Sequence, residues 1–190
     1  MKSSDYKTLK DEELVSLVVT EQKNDLFEIL YNRYYPKVLD KSYSLLKNKE
    51  LAQDATQNIF AKTFEKINSF KGISSFSSWL YSITYNYCID YLRARKRLHY
   101  PEWNRNNEIP EIIDETDEGL TDISYERMMK VLDLVHPEEK ALLFMKYNDN
   151  LSMKQIGTAL RISENAAKMR IKRAKARLVF LYKKLYSDQD

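Results

Sequence analysis

The sequence is short of the residues that break, staple or anchor a chain. Three glycines and four prolines among 190 residues leave little room for tight turns. A fold of many short strands is thereby excluded and an all-α one favoured. Cys88 is the single cysteine, so there is neither a disulfide framework nor a CxxC metal pair. The two histidines, His99 and His136, lie far apart, and the acidic residues follow no metal-loop spacing. No catalytic constellation, cofactor, metal site or small-molecule substrate is expected, and the reading is against an enzyme. No apolar run reaches the ~18 residues of a membrane span, so direct membrane insertion is excluded. The opening MKSSDYKTLKDEELV lacks the apolar core of a signal peptide. These absences favour the cytoplasm.

What is present is charge, and it is segregated behind an overall balance of only +3. Residues 93–97 read RARKR. Residues 98–127 carry nine acids against Arg105 and Arg127, a net of −7. Residues 153–184 carry ten Lys/Arg against the single acid Glu164, a net of +9. Basic, acidic, basic suggests two modules that face nucleic acid, joined by a tether that avoids it.

Apolar spacing predicts the helices. Asp11 opens the first, with Leu14, Leu17 and Val18 inward and Glu12 and Glu13 where the helix dipole favours acids. Leu26 to Leu46 is long and helical, with Pro36 marking either a kink or a break into two helices. Leu51 to Ile67 buries Ala52, Ala55 and Ile59. Its second face, with Asp54, Gln57, Asn58 and Ala61, either meets a partner or is plainly solvated. Asn68 to Ser78 reads as a polar loop around Phe70 and Phe76, with Gly72 for the turn. Trp79 to Arg95 is a helix with a predicted inner stripe of Leu80, Ile83, Tyr87 and Tyr91. Aromatic rings beside cations suit single-stranded nucleic acid, although such rings are more often core. Phe76 is the ring expected to be least buried. Leu98 to Leu120, with Pro101, Pro110 and Gly119, is expected to hold little regular structure.

Helical order resumes at Thr121, and Pro137 suits a helix start. Leu151 to Leu178, LSMKQIGTALRISENAAKMRIKRAKARL, reads as a helix-turn-helix. Ala141, Leu142 and Met145 are expected to pack beneath it. Ser152 and Gln155 form a capping box, and Ile156 and Leu160 share a face. Arg161, Ile162 and Ser163 make the turn, and Ser163 caps the second helix. That helix buries Ala167, Ile171, Ala174 and Leu178. Lys168, Arg170, Lys172, Arg173, Lys175 and Arg177 are expected away from the stripe. Such a unit lays its second helix in the DNA major groove. Gly157 falls inside the first helix, where Gly costs about 1 kcal/mol relative to Ala, and a small residue there lets the two helices approach.

With these residues in hand, the chain resembles an extracytoplasmic-function sigma factor of the sigma-70 family. FEILYNRYY, LAQDATQNIFAKTF and FSSWLYSITYNYCIDYLRARKR resemble sigma region two. LVHPEEKALLFMKYNDNLSMKQIGTALRISENAAKMRIKRAKARL resembles region four. Together they cover about residues 25–185. The resemblance implies two small helical domains, 1–97 and 121–190, joined by the acidic linker 98–120. It implies that Asp54, Gln57 and Phe60 meet core RNA polymerase. Lys71, Ser74, Phe76, Trp79, Asn86 and Arg93 would hold the minus-ten element, with Asp90 completing the WL–N–D–R frame and Phe76 stacking on an extruded base. Lys168, Met169, Lys172 and Arg173 would read the minus-thirty-five element of promoter DNA. An anti-sigma factor is an implied partner. Ala166 and Ala167 replace a common Thr-Val at the start of the reading helix, and Arg161 and Gly157 also depart from the usual pattern. The competing reading is a helix-turn-helix regulator acting without polymerase, which would need a dimer interface or ligand pocket in its first half. A helical interaction protein with no DNA role leaves the +9 block unexplained.

Overall fold

The computed structural model describes residues 5–95 and 124–186. The expected linker, residues 98–120, lies outside the described residues. So do Lys96 and Arg97 of the RARKR run and the start of the helix expected at Thr121. The chain divides into two units, Met1–Tyr91 and Leu92–Asp190. Among the described residues there are eight α-helices and no strand.

In the first unit α1 (Asp11–Thr20), α2 (Phe27–Leu46), α3 (Lys49–Glu65) and α4 (Phe76–Ala94, whose last turn passes the unit boundary) enclose one core. Leu14, Leu30, Val38, Ile59 and Leu80 are fully buried in it, each such side chain contributing about 1.5–3 kcal/mol of hydrophobic stabilisation. Pro36 neither breaks nor divides α2, which runs unbroken through it. The ring sits on the exposed side, where water can serve a carbonyl deprived of its N–H partner. Lys47 ends α2 in the left-handed region (φ 52°) and Asn48 caps α3, its side-chain oxygen accepting from the Leu51 N–H at 2.9 Å. The α2–α3 corner is therefore tight. Thr56 and Thr63 lie wholly inside, their hydroxyls donating to the Ala52 and Ile59 carbonyls at 2.7 Å. A hydroxyl bonded to its own helix in this way packs as an apolar group.

Asp11 ties α1 to α2 by accepting from Arg33 at 2.6 Å and from the Tyr34 hydroxyl. Burial, reinforced by that carboxylate, holds the Tyr34 phenol well above its usual range. Glu12 ties α1 to α4, its carboxylate accepting from the Phe76 N–H at 3.1 Å, where a helix N-terminus favours negative charge.

The second unit contains α5 (Tyr125–Leu132), α6 (Pro137–Leu143), α7 (Met153–Leu160) and α8 (Glu164–Tyr186). A π-helical turn, Phe144–Asn148, continues α6. The core gathers Val131, Leu132, Val135, Leu143, Ala174 and Leu178. Ala141, Leu142 and Met145 are buried as expected. The 23 residues of α8 make it a rod of about 35 Å at 1.5 Å per residue.

Candidate nucleic-acid and protein interfaces

The helix-turn-helix is built as its sequence spells it. Ser152 accepts from the Gln155 N–H at 3.2 Å, while the Gln155 side chain accepts from the Ser152 N–H at 2.7 Å. Ser163 caps α8 by accepting from the Ala166 N–H at 3.1 Å. Between the caps, Arg161 takes the left-handed conformation (φ 54°) and ends α7. A Cβ placed on Gly157 would stand 2.8 Å from the Ile162 carbonyl oxygen, so the turn folds back onto this glycine. Ala167, Ile171, Ala174 and Leu178 are buried, as their spacing predicts.

Lys168, Met169 and Lys172 are exposed on α8 and Arg173 is half-buried. All four lie on the side away from the buried stripe. Two other cations do not join them. Arg177, expected outside, is 4% exposed, and its Nε lies 3.2 Å from the carboxylate of the fully buried Glu139. Arg170 is half-buried and 3.7 Å from Glu138. A guanidinium leaves water here because an acid on another helix receives it, and no local pattern announces such a partner.

The second candidate surface lies on α4. Trp79, Asn86 and Arg93 are seven residues apart, close to two helical turns, and so share one side. Trp79 and Asn86 are half-buried, while Asp90 and Arg93 are exposed. The inner stripe differs from the expectation. Leu80, Tyr81, Thr84, Tyr85, Cys88, Ile89 and Leu92 are buried, whereas Ile83, Tyr87 and Tyr91 are only half-buried. Burial pushes the Cys88 thiol up to about 12, which removes it as a nucleophile.

The loop before α4 is shorter than the sequence suggests, because α4 begins at Phe76. Phe76 is not a loop residue but the first residue of α4, and it is wholly buried. Tyr34, Phe70 and Trp79 surround it with ring centroids at 5.6, 5.9 and 5.9 Å. It has no free face on which a base could stack. Ser75 brings this about, because its hydroxyl accepts from the Ser78 N–H at 3.2 Å and starts the helix early. The ring the loop was expected to offer is replaced by an aliphatic side chain. Ile73 is 86% exposed, flanked by exposed Lys71 and half-buried Ser74. Gly72 shapes this tip at φ 67° with nothing within 4 Å of its Cβ position. Exposure is the only mark of Ile73, and sequence spacing carries no trace of it.

The third surface is the outer side of α3. Asp54, Gln57, Asn58 and Ala61 are exposed there. Phe60 is not with them: it is 3% exposed, lying 4.6 Å from the Tyr31 ring and 6.4 Å from Phe27. Phe27 in turn meets Phe64, itself 39% exposed, at 5.0 Å. A row of rings along α2 thus supports the polar side of α3, a feature that spacing within α3 alone does not disclose. Among the described residues no group of His, Cys, Asp or Glu could hold a metal ion, and no helix is long and apolar enough to cross a membrane.

Comparison with known proteins gives the family. The pattern of Sigma-70 region 2 matches residues 30–98 and that of Sigma-70 region 4 matches residues 125–178. The RNA polymerase sigma-H factor of Pseudomonas aeruginosa is 30% identical over 177 residues, covering 87% of this chain and 90% of that protein. The chain belongs to the sigma-70 family. Within it this sigma factor is of the extracytoplasmic-function class, as is its relative SigW of Bacillus subtilis, 28% identical over 84% of this chain and 90% of that one. Two solved structures share the fold. CnrH, solved in complex with the cytosolic domain of CnrY, has a TM-score of 0.59 at 17% identity, over 95% of this chain and 99% of that one. The sigma factor RpoE of Bartonella quintana, solved with the anti-sigma factor NepR, has a TM-score of 0.58 at 20% identity, over 83% and 96%. The region-2 match spans α4 and most of α2, and the region-4 match begins with α5 and ends at Leu178, the last residue of the buried stripe.

Proposed function

We propose that this sigma factor divides promoter recognition among the three surfaces. The outer side of α3, through Asp54 and Gln57, docks on core RNA polymerase, with Phe60 acting from beneath as support. The outward side of α8, through Lys168, Met169, Lys172 and Arg173, reads duplex DNA at the minus-thirty-five element. The tip at Lys71, Ile73 and Ser74, with Trp79, Asn86 and Arg93, holds the opened minus-ten strand. Domain limits of 1–97 and 121–190, with 98–120 as tether, belong to this reading. No catalytic role is assigned to any residue. An anti-sigma factor is the fitting antagonist, since both solved neighbours include partner chains, and that of the Bartonella quintana protein is an anti-sigma factor.

One observation carries the reading over that of a plain operator-binding regulator. The first unit exposes a polar helix side and an aliphatic loop tip. Neither is of use to a protein that only reads duplex DNA. The test is gel filtration with core polymerase. The wild-type chain should co-elute, and Asp54→Arg and Gln57→Ala should weaken co-elution while leaving the circular dichroism spectrum unchanged. Undiminished binding by both folded variants would remove α3 from the polymerase contact.

A further inference from the structure

The second unit buries an ion pair that promoter binding does not obviously need. Glu139 is 0% exposed and Arg177 4%, their charged atoms 3.2 Å apart. One belongs to α6 and the other to α8, two helices packed on each other. Replacing such a pair with apolar side chains of similar volume is often neutral or favourable to stability. Stability is therefore a weak reason for its presence, and geometry offers a better one.

The stripe by which α8 packs includes Ala167 and Ala174, both fully buried. Small apolar contacts bring helices close but are non-directional, so they define the rotation of α8 about its axis poorly. Rotating a buried guanidinium away from its carboxylate, by contrast, is strongly disfavoured, because it leaves two uncompensated charges inside the protein. Arg177 lies beside the stripe, and Arg170, seven residues earlier and so on the same side, lies 3.7 Å from Glu138. Two consecutive acids at the start of α6 thus face two arginines nearly two turns apart on α8. Lys168, Met169, Lys172 and Arg173 project elsewhere, and their aim is set by that rotation.

We propose that Glu139 and Arg177, seconded by Glu138 and Arg170, are positioning residues that set the rotation of the DNA-reading helix and hence the promoter selectivity of this sigma factor. Arg177 contacts no phosphate; it acts through the four outward residues. The inference rests on the assignment of α8 as the helix that reads the minus-thirty-five element.

The test uses holoenzyme assembled from core polymerase and the full chain. Duplexes are first enriched from a random pool by the wild-type holoenzyme and compared with scrambled duplexes. In the variant carrying Glu139→Met and Arg177→Met, thermal stability should hold. The preference for enriched over scrambled duplex should fall about tenfold, the size of one lost base contact. The dependence of affinity on salt should keep its slope, because no phosphate contact is removed. Arg177→Lys retains the charge but not the planar fork; it should fold and lose part of the preference, and it decides the matter if the double variant does not fold. Undiminished preference in a folded variant overturns the proposal. A slope lowered by about one unit also overturns it, since Arg177 would then be a phosphate contact. Lys172→Ala with Arg173→Ala is the control: if it too leaves preference and slope intact, the failure belongs to the reading of α8 and not to the ion pair.

Discussion

Replacing Gly157 with alanine should destabilise the second unit, against the usual trend. In most helix interiors that exchange stabilises by about 1 kcal/mol. Here the new methyl group would stand 2.8 Å from the Ile162 carbonyl oxygen and 3.4 Å from the Glu164 nitrogen. Both neighbours are backbone, so neither can swing aside as a side chain would. The turn and the start of α8 must retreat, straining the Ile162 N–H bond to the Gly157 carbonyl at 2.9 Å. Overpacking of this kind costs about 1–3 kcal/mol. Set against the propensity gain, it leaves a net loss of about 1 kcal/mol. The displacement also moves Lys168 and Met169, which lie in the first turns of α8, so affinity for an enriched duplex should fall about tenfold, as for one lost base contact. Urea unfolding monitored by circular dichroism gives the stability, amide exchange at Ile156 and Ala167 locates the loss, and fluorescence anisotropy of the holoenzyme on labelled duplex gives the affinity. A Gly157→Ala protein as stable as wild type, with unchanged affinity, would show that the turn does not depend on this close approach.

Other parts of the molecule yield three further expected outcomes. Lys172→Ala with Arg173→Ala should lower the salt slope of holoenzyme binding by about two units if both meet phosphates; an unchanged slope and affinity would remove α8 as the reader. Phe76→Ala should cost about 3–5 kcal/mol of stability as a core truncation, whereas Ile73→Ser should leave stability intact and slow opening of paired promoters more than of pre-mismatched ones. Permanganate footprinting of unpaired thymines reads the second effect, and equal opening by Ile73→Ser and wild type would exclude the loop tip. Burial, with the Arg177 charge, pushes the His136 imidazole from 6.5 down to about 4. The unfolded chain therefore binds more protons between those values, so stability is lost as pH falls from about 6.5 towards 4 and is level above. His136→Asn retains an acceptor for the Glu138 N–H, which His136 Nδ1 receives at 3.2 Å, and should flatten that fall. Equal pH dependence in the two proteins between pH 7 and 5 would show that His136 is not its source.

The helix-turn-helix is legible because its determinants are local. Ser152, Gln155 and Ser163 bond within three residues of themselves, and its stripe alternates clearly with charge. α4 is not. FSSWLYSITYNYCIDYLRA has rings or aliphatic groups on nearly every side, so several stripes fit the sequence. The one chosen by the fold includes Thr84, whose hydroxyl donates to the Leu80 carbonyl at 3.0 Å and so hides its polarity. Phe76 escapes the sequence because a helix start at Ser75 looks there like more loop. Arg177 escapes it because Glu139, its partner, lies on a different helix. The candidate surfaces can therefore be named from sequence in outline, while the members that tertiary contacts withdraw or expose, Phe60, Phe76, Arg177 and Ile73, cannot.

The single rod of α8 has a consequence for how promoter preference changes over generations. On the proposed reading its N-terminal half carries the letters that meet DNA, while its C-terminal half, from Leu178 through Leu181, Tyr182 and Tyr186, belongs to the core with α5. Even within the first half, letters and mortar occupy different sides of the same rod. Substitutions at Lys168, Met169, Lys172 and Arg173 would then respell the target while leaving Ala167, Ile171, Ala174 and Leu178 to bury the rod and Arg177 to orient it. On that reading a duplicated copy of this gene would acquire a new set of promoters in a few steps without passing through an unfolded ancestor. Randomising those four positions should yield folded proteins with divergent vocabularies, whereas randomising the four buried ones should yield silence.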